Sequence, residues 1–149
     1  MANNRNIKIN RVILASDHAG FKLKEVIKSF LLKKRKKVLD LGTYNNKPVD
    51  YPDMAHLLSK KIKSNRKQIG ILVCGSGIGM DMTANKHKNI RAALCYNKKS
   101  TILSREHNNA NVMTLGARMI KKKIALECVS IFMKTKFKGG RHLSRVKKI

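Results

Sequence analysis

Five short apolar runs alternate along this chain with longer segments whose apolar residues recur every three or four positions. The runs have the length of strands, and the spacing between them is that of amphipathic helices. Nearly continuous apolar strands joined by helices are typical of a parallel sheet covered on both faces. The sequence therefore predicts an α/β fold, a Rossmann-like three-layer α/β/α sandwich with a five-stranded parallel sheet. The predicted strands are residues 12–16, 36–42, 68–75, 90–96 and 111–117, and the predicted helices are residues 21–34, 54–62, 77–88, 99–108 and 121–137.

The chain is expected to form one domain over residues 1–149. Its 42% apolar content suits a single core, and no repeat or linker divides it. Residues 1–10 form an N-terminal extension without the apolar segment of a signal peptide, and no apolar run spans a membrane, so we expect a cytoplasmic protein. Residues 139–149 begin with two glycines and form a basic tail, free either to fold back or to dock elsewhere.

The charge of the chain is extreme, with 34 Lys and Arg against 8 Asp and Glu and a formal net charge of +26. Such a charge attracts polyanions, nucleic acids among them. The lysines, however, fall in short runs where outer helix faces and helix ends are expected, and no nucleic-acid-binding motif occurs. We therefore predict a solvated basic surface with no specific nucleic-acid partner and no membrane partner.

Polar residues follow the predicted strands at the edge where such sheets bind ligands. Asp17 and His18 end the first strand, where they either cap a helix or hold sugar hydroxyls and phosphate. The turn Gly75-Ser76-Gly77-Ile78-Gly79 follows the third strand and presents helix amides to an anion. Because it lacks the Lys of a P-loop and the spacing of a dinucleotide motif, a small anion fits better than a nucleotide.

The three cysteines form no C-x-x-C pair, which favours reduced thiols over a disulfide or a zinc site. Cys95 lies within a predicted strand and Cys128 on an apolar helix stripe, so both are expected in the core. Cys74 ends the third strand beside the glycine turn, where a helix N-terminus favours a thiolate. It is a candidate base or nucleophile, or only a small residue that closes the strand.

Two further polar groups occur later in the chain. His107, Asn108 and Asn109 crowd together before the fifth strand, either as the polar end of a helix or as part of a site. In the tail, Arg141 and Arg145 share a face if that segment is helical, as a phosphate clamp requires.

Taken in order, these motifs resemble the B-type ribose-5-phosphate isomerase family, which also contains galactose- and allose-6-phosphate isomerases. The resemblance runs from residue 12 to the C-terminus. Its blocks are SDHAG, DLGTY, VDYPD, CGSGIG, ANK, IRAAL, SREHNNAN, LGAR and GGRHLSRV. Ser76 departs from the usual threonine but keeps the hydroxyl.

The resemblance implies an aldose–ketose isomerase that interconverts ribose 5-phosphate and ribulose 5-phosphate through a cis-enediolate, in the non-oxidative pentose phosphate pathway. It implies no metal and no other cofactor. It implies Cys74 as the base and His107 as the acid that opens the furanose ring. The residues that it implies as contacts to the substrate are Asp17, His18, Tyr44, Gly75, Ser76, Gly77, Ile78, Gly79, Asn108, Arg118, Arg141 and Arg145.

The resemblance also implies a homodimer or a dimer of dimers, with active sites assembled from two subunits. Two alternatives stay open. One is a galactose- or allose-6-phosphate isomerase, because the width of the pocket cannot be inferred from the sequence. The other is a basic nucleic-acid-associated protein that keeps the fold without the catalysis, although the intact Cys74, His107 and arginines favour an enzyme.

Overall fold

A computed structural model of the chain describes residues 8–63 and 67–149, so residues 1–7 of the expected N-terminal extension lie outside it. Strands and helices alternate strictly until a sixth helix follows the fifth. The elements are β1 (Arg11–Ser16), α1 (Phe21–Lys33), β2 (Lys37–Asp40), α2 (Tyr51–Lys61), β3 (Gln68–Cys74), α3 (Ile78–Ala84), β4 (Ala92–Leu94), α4 (Lys98–Glu106), β5 (Val112–Gly116), α5 (Lys122–Lys134) and α6 (Arg141–Val146).

The strands form one parallel sheet in the order β2-β1-β3-β5-β4. In the centre, Ile13 of β1 is paired with Leu39 of β2 on one side and with Gly70 of β3 on the other. All four strand pairs are parallel. The prediction of a five-stranded parallel sheet in an α/β fold is confirmed.

Helices cover both faces of the sheet. In a right-handed crossover, the direction in which a connection crosses the sheet decides which face its helix covers. Helices α1 and α4 belong to connections that run toward the β2 edge, and they lie on one face. Helices α2 and α3 belong to connections that run toward the β4 edge, and they lie on the other face. Helix α5, which follows the last strand, packs beside α1 and α4. Residues of α1 and α5, such as Ile27 and Phe132, bury the first face, and residues of α2 and α3, such as Leu58 and Met80, bury the second.

Most predicted elements are somewhat longer than the observed ones, and the differences are largest in α3, β4 and α5. The helix expected to reach residue 88 ends at Ala84, and turns then lead to Asn89, whose φ is 72°. The strand expected over residues 90–96 is only Ala92–Leu94, because it lies at the edge of the sheet and Asn97 caps the next helix. Cys95 was therefore wrongly placed within a strand, although it is buried as expected. The final long helix ends at Lys134, where Thr135 has extended backbone.

The basic tail folds back onto its own chain. Directly before the tail, the main-chain N–H of Lys138 donates to the carbonyl of Glu106 at 3.0 Å, and the Lys138 ammonium group pairs with the Glu106 carboxylate at 2.7 Å. In α6, the ring of His142 stacks on that of His107 with a centroid distance of 4.1 Å. The tail is thus fixed to the end of α4.

Most of the lysine runs are exposed, as the sequence predicts. Lys24 differs, because its side chain is completely buried in α1. Among the described residues no helix is long and apolar enough to cross a membrane.

We expect Cys95→Ala and Cys128→Ala each to lower the free energy of unfolding by on the order of 1 kcal/mol. Burial raises the pKa of the Cys95 thiol to about 11 and also raises that of Cys128, so both act as small apolar groups at neutral pH. Urea denaturation of each variant measures the loss. An unfolding midpoint equal to that of the parent protein would show that the thiol contributes nothing to packing.

Candidate active site

The carboxyl ends of β1 and β3 lie side by side, and the chain leaves them on opposite faces, through α1 and α3. This divergence opens a crevice, the usual place for a ligand in an open α/β sheet. The crevice has a volume of about 570 Å³. It is lined by Asp17, His18, Ala19, Tyr51, Cys74, Gly75, Ser76, Ile78, Gly79, Met82 and Arg118.

Asp17 closes the turn that precedes α1 and also lines the crevice. Its Oδ1 accepts the Gly20 N–H at 2.9 Å, and its own N–H donates to the carbonyl of Val73 at 3.2 Å. A Cβ on Gly20 would stand 2.1 Å from that same carbonyl oxygen, so only glycine lets α1 start this close to β3. The N-cap of α1 is Gly20, so the expectation that Asp17 caps this helix is wrong, and its carboxylate lines the crevice instead.

His18 is oriented by the loop that follows β2. Its Nδ1 accepts the N–H of Val49 at 3.2 Å. In the neutral ring this assigns the proton to Nε2, which leaves an N–H donor for a ligand in the crevice.

Cys74 ends β3 with its side chain 4% exposed at the crevice. Its Sγ accepts the N–H of Gly77 at 3.1 Å. That hydrogen bond requires the sharp turn at Gly77, whose φ is +80°. A Cβ there would stand 2.6 Å from the Leu94 side chain and 2.9 Å from the nitrogen of Gly116, so the turn admits only glycine.

Arg118 supplies a positive charge on the β5 side of the crevice. The main-chain N–H of Arg118 donates to the carbonyl of Gly75 at 3.0 Å. Its guanidinium group lies over Gly75, with Nη1 3.0 Å from the position that a Cβ would take. The hydroxyl of Ser76, which accepts the Ile78 N–H at 3.2 Å, is fixed on the same turn.

Three residues that line the crevice were not among the predicted site residues, namely Ala19, Tyr51 and Met82. Tyr51 begins α2, and its ring lies against Gly79. Met82 lies on α3 one turn after Ile78 and is 65% exposed. The proline that follows Tyr51 indicates the start of a helix, and helices of this fold start at the ligand-binding edge of the sheet. No pattern in the sequence, however, indicates that the side chains of Tyr51 and Met82 face the crevice.

The structure does not bring all the predicted residues together. Tyr44 is exposed, and its hydroxyl donates to the main-chain carbonyl of Asp40 at 3.0 Å rather than lining the crevice. His107 follows α4 and precedes β5, which puts it at the amino edge of the sheet. Cys74 is paired with Gly116 at the other end of β5. Val112–Gly116 alone spans about 13 Å, so His107 and Cys74 of one chain belong to opposite edges.

Basic residues gather around His107 at that amino edge. Arg141 and Arg145 lie one helical turn apart on α6, which confirms that they share a helix face, and both are exposed. Burial, together with electrostatic interactions with His107 and the adjacent basic groups, lowers the pKa of His142. Asn108 is exposed beside them. We call His107, Asn108, Arg141, His142 and Arg145 the amino-edge cluster.

Residues 12–149 match the sequence model of a family described as Ribose/Galactose Isomerase. The chain belongs to the ribose/galactose isomerase family. The resemblance seen in the motifs is thereby confirmed.

Solved structures and curated relatives of this family agree closely with the chain. A ribose 5-phosphate isomerase of Thermotoga maritima superposes with a TM-score of 0.90 at 46% identity, covering 93% of this chain and 95% of the other. A ribose-5-phosphate isomerase B of Mycoplasma genitalium, crystallised with bound ribulose 5-phosphate, gives 0.88 at 43% identity over 93% and 92%. The ribose-5-phosphate isomerase B of Escherichia coli is 35% identical over 141 residues, 95% of each chain.

In this member of the family, Asp81 is the acid closest in sequence to the glycine turn, but it faces away from the crevice. Its Oδ1 accepts the hydroxyl of Thr114 at 2.9 Å beneath α3. Burial raises the pKa of its carboxyl group, against the opposing effect of its hydrogen bonds. Within residues 8–63 and 67–149, no three His, Cys, Asp or Glu side chains are grouped so that they could hold a metal ion.

The turn at Gly77 can be tested with a matched glycine elsewhere. Gly139 has a similar φ of +66°, but a Cβ there would meet nothing within 4 Å. We expect Gly139→Ala to cost about 1–2 kcal/mol of unfolding free energy, from the left-handed backbone alone. Gly77→Ala should cost at least about 3 kcal/mol, because the steric clash adds to the backbone strain. Equal losses in urea denaturation would contradict this account of the turn.

Proposed function

We propose that this chain interconverts ribose 5-phosphate and ribulose 5-phosphate, as an isomerase of the non-oxidative pentose phosphate pathway. The observation that carries the proposal is the thiol of Cys74, which lies at the crevice with a backbone N–H on its sulfur, in a family with a ribulose-5-phosphate-bound member. We infer that the whole chain, residues 1–149, serves as one domain for this reaction. Its three unpaired thiols suit a cytoplasmic location.

Cys74 acts in this proposal as the base. Its thiolate takes the proton from C2 of the open-chain aldose, and the electron pair of that C–H bond forms the C1=C2 double bond of a cis-enediolate with the charge on O1. Return of the proton to C1, with transfer of the O2 hydroxyl proton to O1, leaves a carbonyl at C2. The N–H of Gly77 favours negative charge on the sulfur before the transfer.

The glycine turn serves as the anion hole. The amides of Gly75, Ser76 and Gly79 are the proposed donors to the enediolate oxygen, because the N–H groups of Gly77 and Ile78 already donate to Cys74 Sγ and to the Ser76 hydroxyl. Donors fixed before the reaction need no reorganisation when charge develops, and one such donor is worth about 3–4 kcal/mol in other enzymes. The Ser76 hydroxyl retains the polar group of the usual threonine.

Asp17, His18 and Arg118 are the proposed contacts of the same chain to the substrate. The Nε2–H of His18 and the guanidinium of Arg118 suit sugar oxygens or a phosphate, and the Asp17 carboxylate suits hydroxyl groups. All three line the crevice.

We further propose that the site is completed by a second copy of the chain, in a homodimer or a dimer of dimers. The crevice lacks the ring-opening acid that His107 is expected to provide, and the arginines of the amino-edge cluster lie at the opposite edge of the same chain. A partner that docks its amino-edge cluster against the crevice would supply His107, Asn108, Arg141 and Arg145.

The surface around the crevice supports such docking. Six large apolar side chains are exposed at the carboxyl edge of the sheet, where a monomer gains nothing from them. They are Tyr44, Tyr51, Ile78, Met82, Tyr96 and Met119, and their exposure ranges from 41% to 72%. Tyr44 is thus proposed to act at the boundary of the site rather than within the crevice.

The proposal is tested with the purified protein in EDTA, with ribose 5-phosphate as substrate and galactose 6-phosphate and allose 6-phosphate as comparisons. The parent protein should form ribulose 5-phosphate and exchange the C2 hydrogen with deuterated water. Cys74→Ala should lower kcat by at least about 100-fold, because a placed base contributes 10² to 10⁴-fold. It should still fold and bind sugar phosphate, since only a small group is removed.

Matched controls come from the same chain. Cys95→Ala and Cys128→Ala remove thiols that lie in the core, and Asp81→Asn removes the buried acid beneath α3, so all three should keep kcat nearly intact. A folded Cys74→Ala protein that isomerises at the parent rate would show that another group is the base. A clear preference of the parent for a hexose 6-phosphate would replace the proposed substrate.

A further inference from the structure

A lysine is fully buried close to the β2 side of the crevice. The Nζ of Lys24 lies 2.8 and 2.7 Å from the two carboxylate oxygens of Asp40 and 2.7 Å from Glu25 Oε1. Lys28 also donates to Asp40, at 2.8 Å, but its side chain is one-third exposed. A buried ion pair is weak support for stability, because desolvation offsets its attraction. Its retention here calls for a specific reason.

Asp40 links this pair to the loop that leaves β2. Its Oδ1 accepts the N–H of Gly42 at 3.0 Å, and its main-chain carbonyl accepts the hydroxyl of Tyr44 at 3.0 Å. The carboxylate is held in place mainly by the buried Lys24, which bonds both of its oxygens, while the partly exposed Lys28 bonds only one. The first residues of the loop are therefore fixed by a charged group that cannot rotate freely.

The same loop is bonded to the end of β1. The N–H of Ser16 donates to the carbonyl of Gly42 at 2.7 Å, and the N–H of Thr43 donates to the carbonyl of Ser16 at 2.9 Å. Ser16 immediately precedes Asp17 and His18. A shift of Gly42 would thus displace the strand end that carries both crevice residues.

Lys24 reaches Asp17 by a second route through α1. The main-chain N–H of Lys24 donates to the carbonyl of Gly20 at 2.9 Å, and the N–H of Gly20 donates to Asp17 Oδ1 at 2.9 Å. The ion pair consequently joins the two segments that flank the end of β1, namely the start of α1 and the loop after β2.

We propose that Lys24 and Asp40 are positioning residues, whose buried ion pair holds Asp17 and His18 in the geometry that binds the sugar phosphate. The effect on catalysis rests on the proposed function, whereas the effect on the geometry of His18 does not. Because Asp17 and His18 act in binding, the loss of the pair should weaken substrate binding more than the chemical step.

The test compares Lys24→Met with Lys28→Met, since both lysines bond to Asp40 but only Lys24 is buried beside α1 and the loop. We expect Lys24→Met to raise KM for ribose 5-phosphate by about 10 to 100-fold, because small displacements of positioning groups have effects of that order. Its kcat should stay within about threefold of the parent value. Lys28→Met should leave both constants close to those of the parent.

A second readout does not depend on activity. In ¹⁵N-histidine-labelled protein, His18 should show Nδ1 as the unprotonated acceptor in the parent and in Lys28→Met. In Lys24→Met its two ring-nitrogen signals should move toward each other, as the tautomers mix. An inactive parent with this pattern would overturn the proposed function and leave the positioning role standing. An active parent with unchanged His18 signals in a folded Lys24→Met protein would overturn the positioning role alone.

The double variant Lys24→Met/Asp40→Leu separates positioning from stability. Replacing a buried ion pair by apolar groups is often neutral or stabilising, so this protein should unfold at a midpoint no lower than the parent. The raised KM should persist, because the Gly42 N–H has lost its carboxylate acceptor. Recovery of the parent KM in the double variant would overturn the proposal, and so would failure of the double variant to fold.

Discussion

All five strands run in the same direction, and the rest of the structure depends on this. Every strand ends at one edge of the sheet and every connecting helix returns the chain to the other. The strand order places β1 beside β3, so that Asp17 and Cys74 meet at the carboxyl edge. The same constraint carries His107, which follows a helix, to the amino edge. The two halves of the proposed chemistry are therefore separated within one chain by the length of the strands.

The helix ends give part of the large positive charge a physical role. Helices α1, α2, α4, α5 and α6 each have a basic residue in the last turn, where the exposed carbonyl groups carry partial negative charge. The crossover helices α1, α2 and α4 end at the amino edge. The amino-edge cluster adjoins the end of α4 through the stacking of His142 on His107, and its basic side chains favour an anion such as a phosphate. The carboxyl edge presents apolar side chains around a crevice that holds Arg118.

Much of the fold could be predicted because the spacing of apolar residues shows which side of a helix or strand is buried. The glycine turn could be found because its left-handed backbone at residue 77 requires glycine, which is visible in the sequence. The positions of Asp17, His18 and Cys74 followed from the rule that ligands bind at strand ends, and Arg118 followed from the family resemblance. Their partners did not, because hydrogen bonds between distant segments leave no local pattern. A lysine in a chain this basic gives no sign of burial, so Lys24 could not be distinguished from its exposed neighbours. The β4 edge strand was overestimated for a related reason, since apolar residues at an edge can be buried by packing without strand pairing.

The proposed reaction requires Cys74 of one chain and the amino-edge cluster of another in the same site. Mixing two inactive variants tests this requirement most directly. Cys74→Ala and Arg141→Ala are purified, combined in equal amounts and allowed to exchange subunits, with exchange verified by native mass spectrometry. If the site is shared across a two-fold interface, heterodimers contain one intact site, and about a quarter of the parental activity should appear. If exchange is complete and activity stays at the level of the separate variants, Arg141 does not act in the site of a partner, and the two-chain account is wrong.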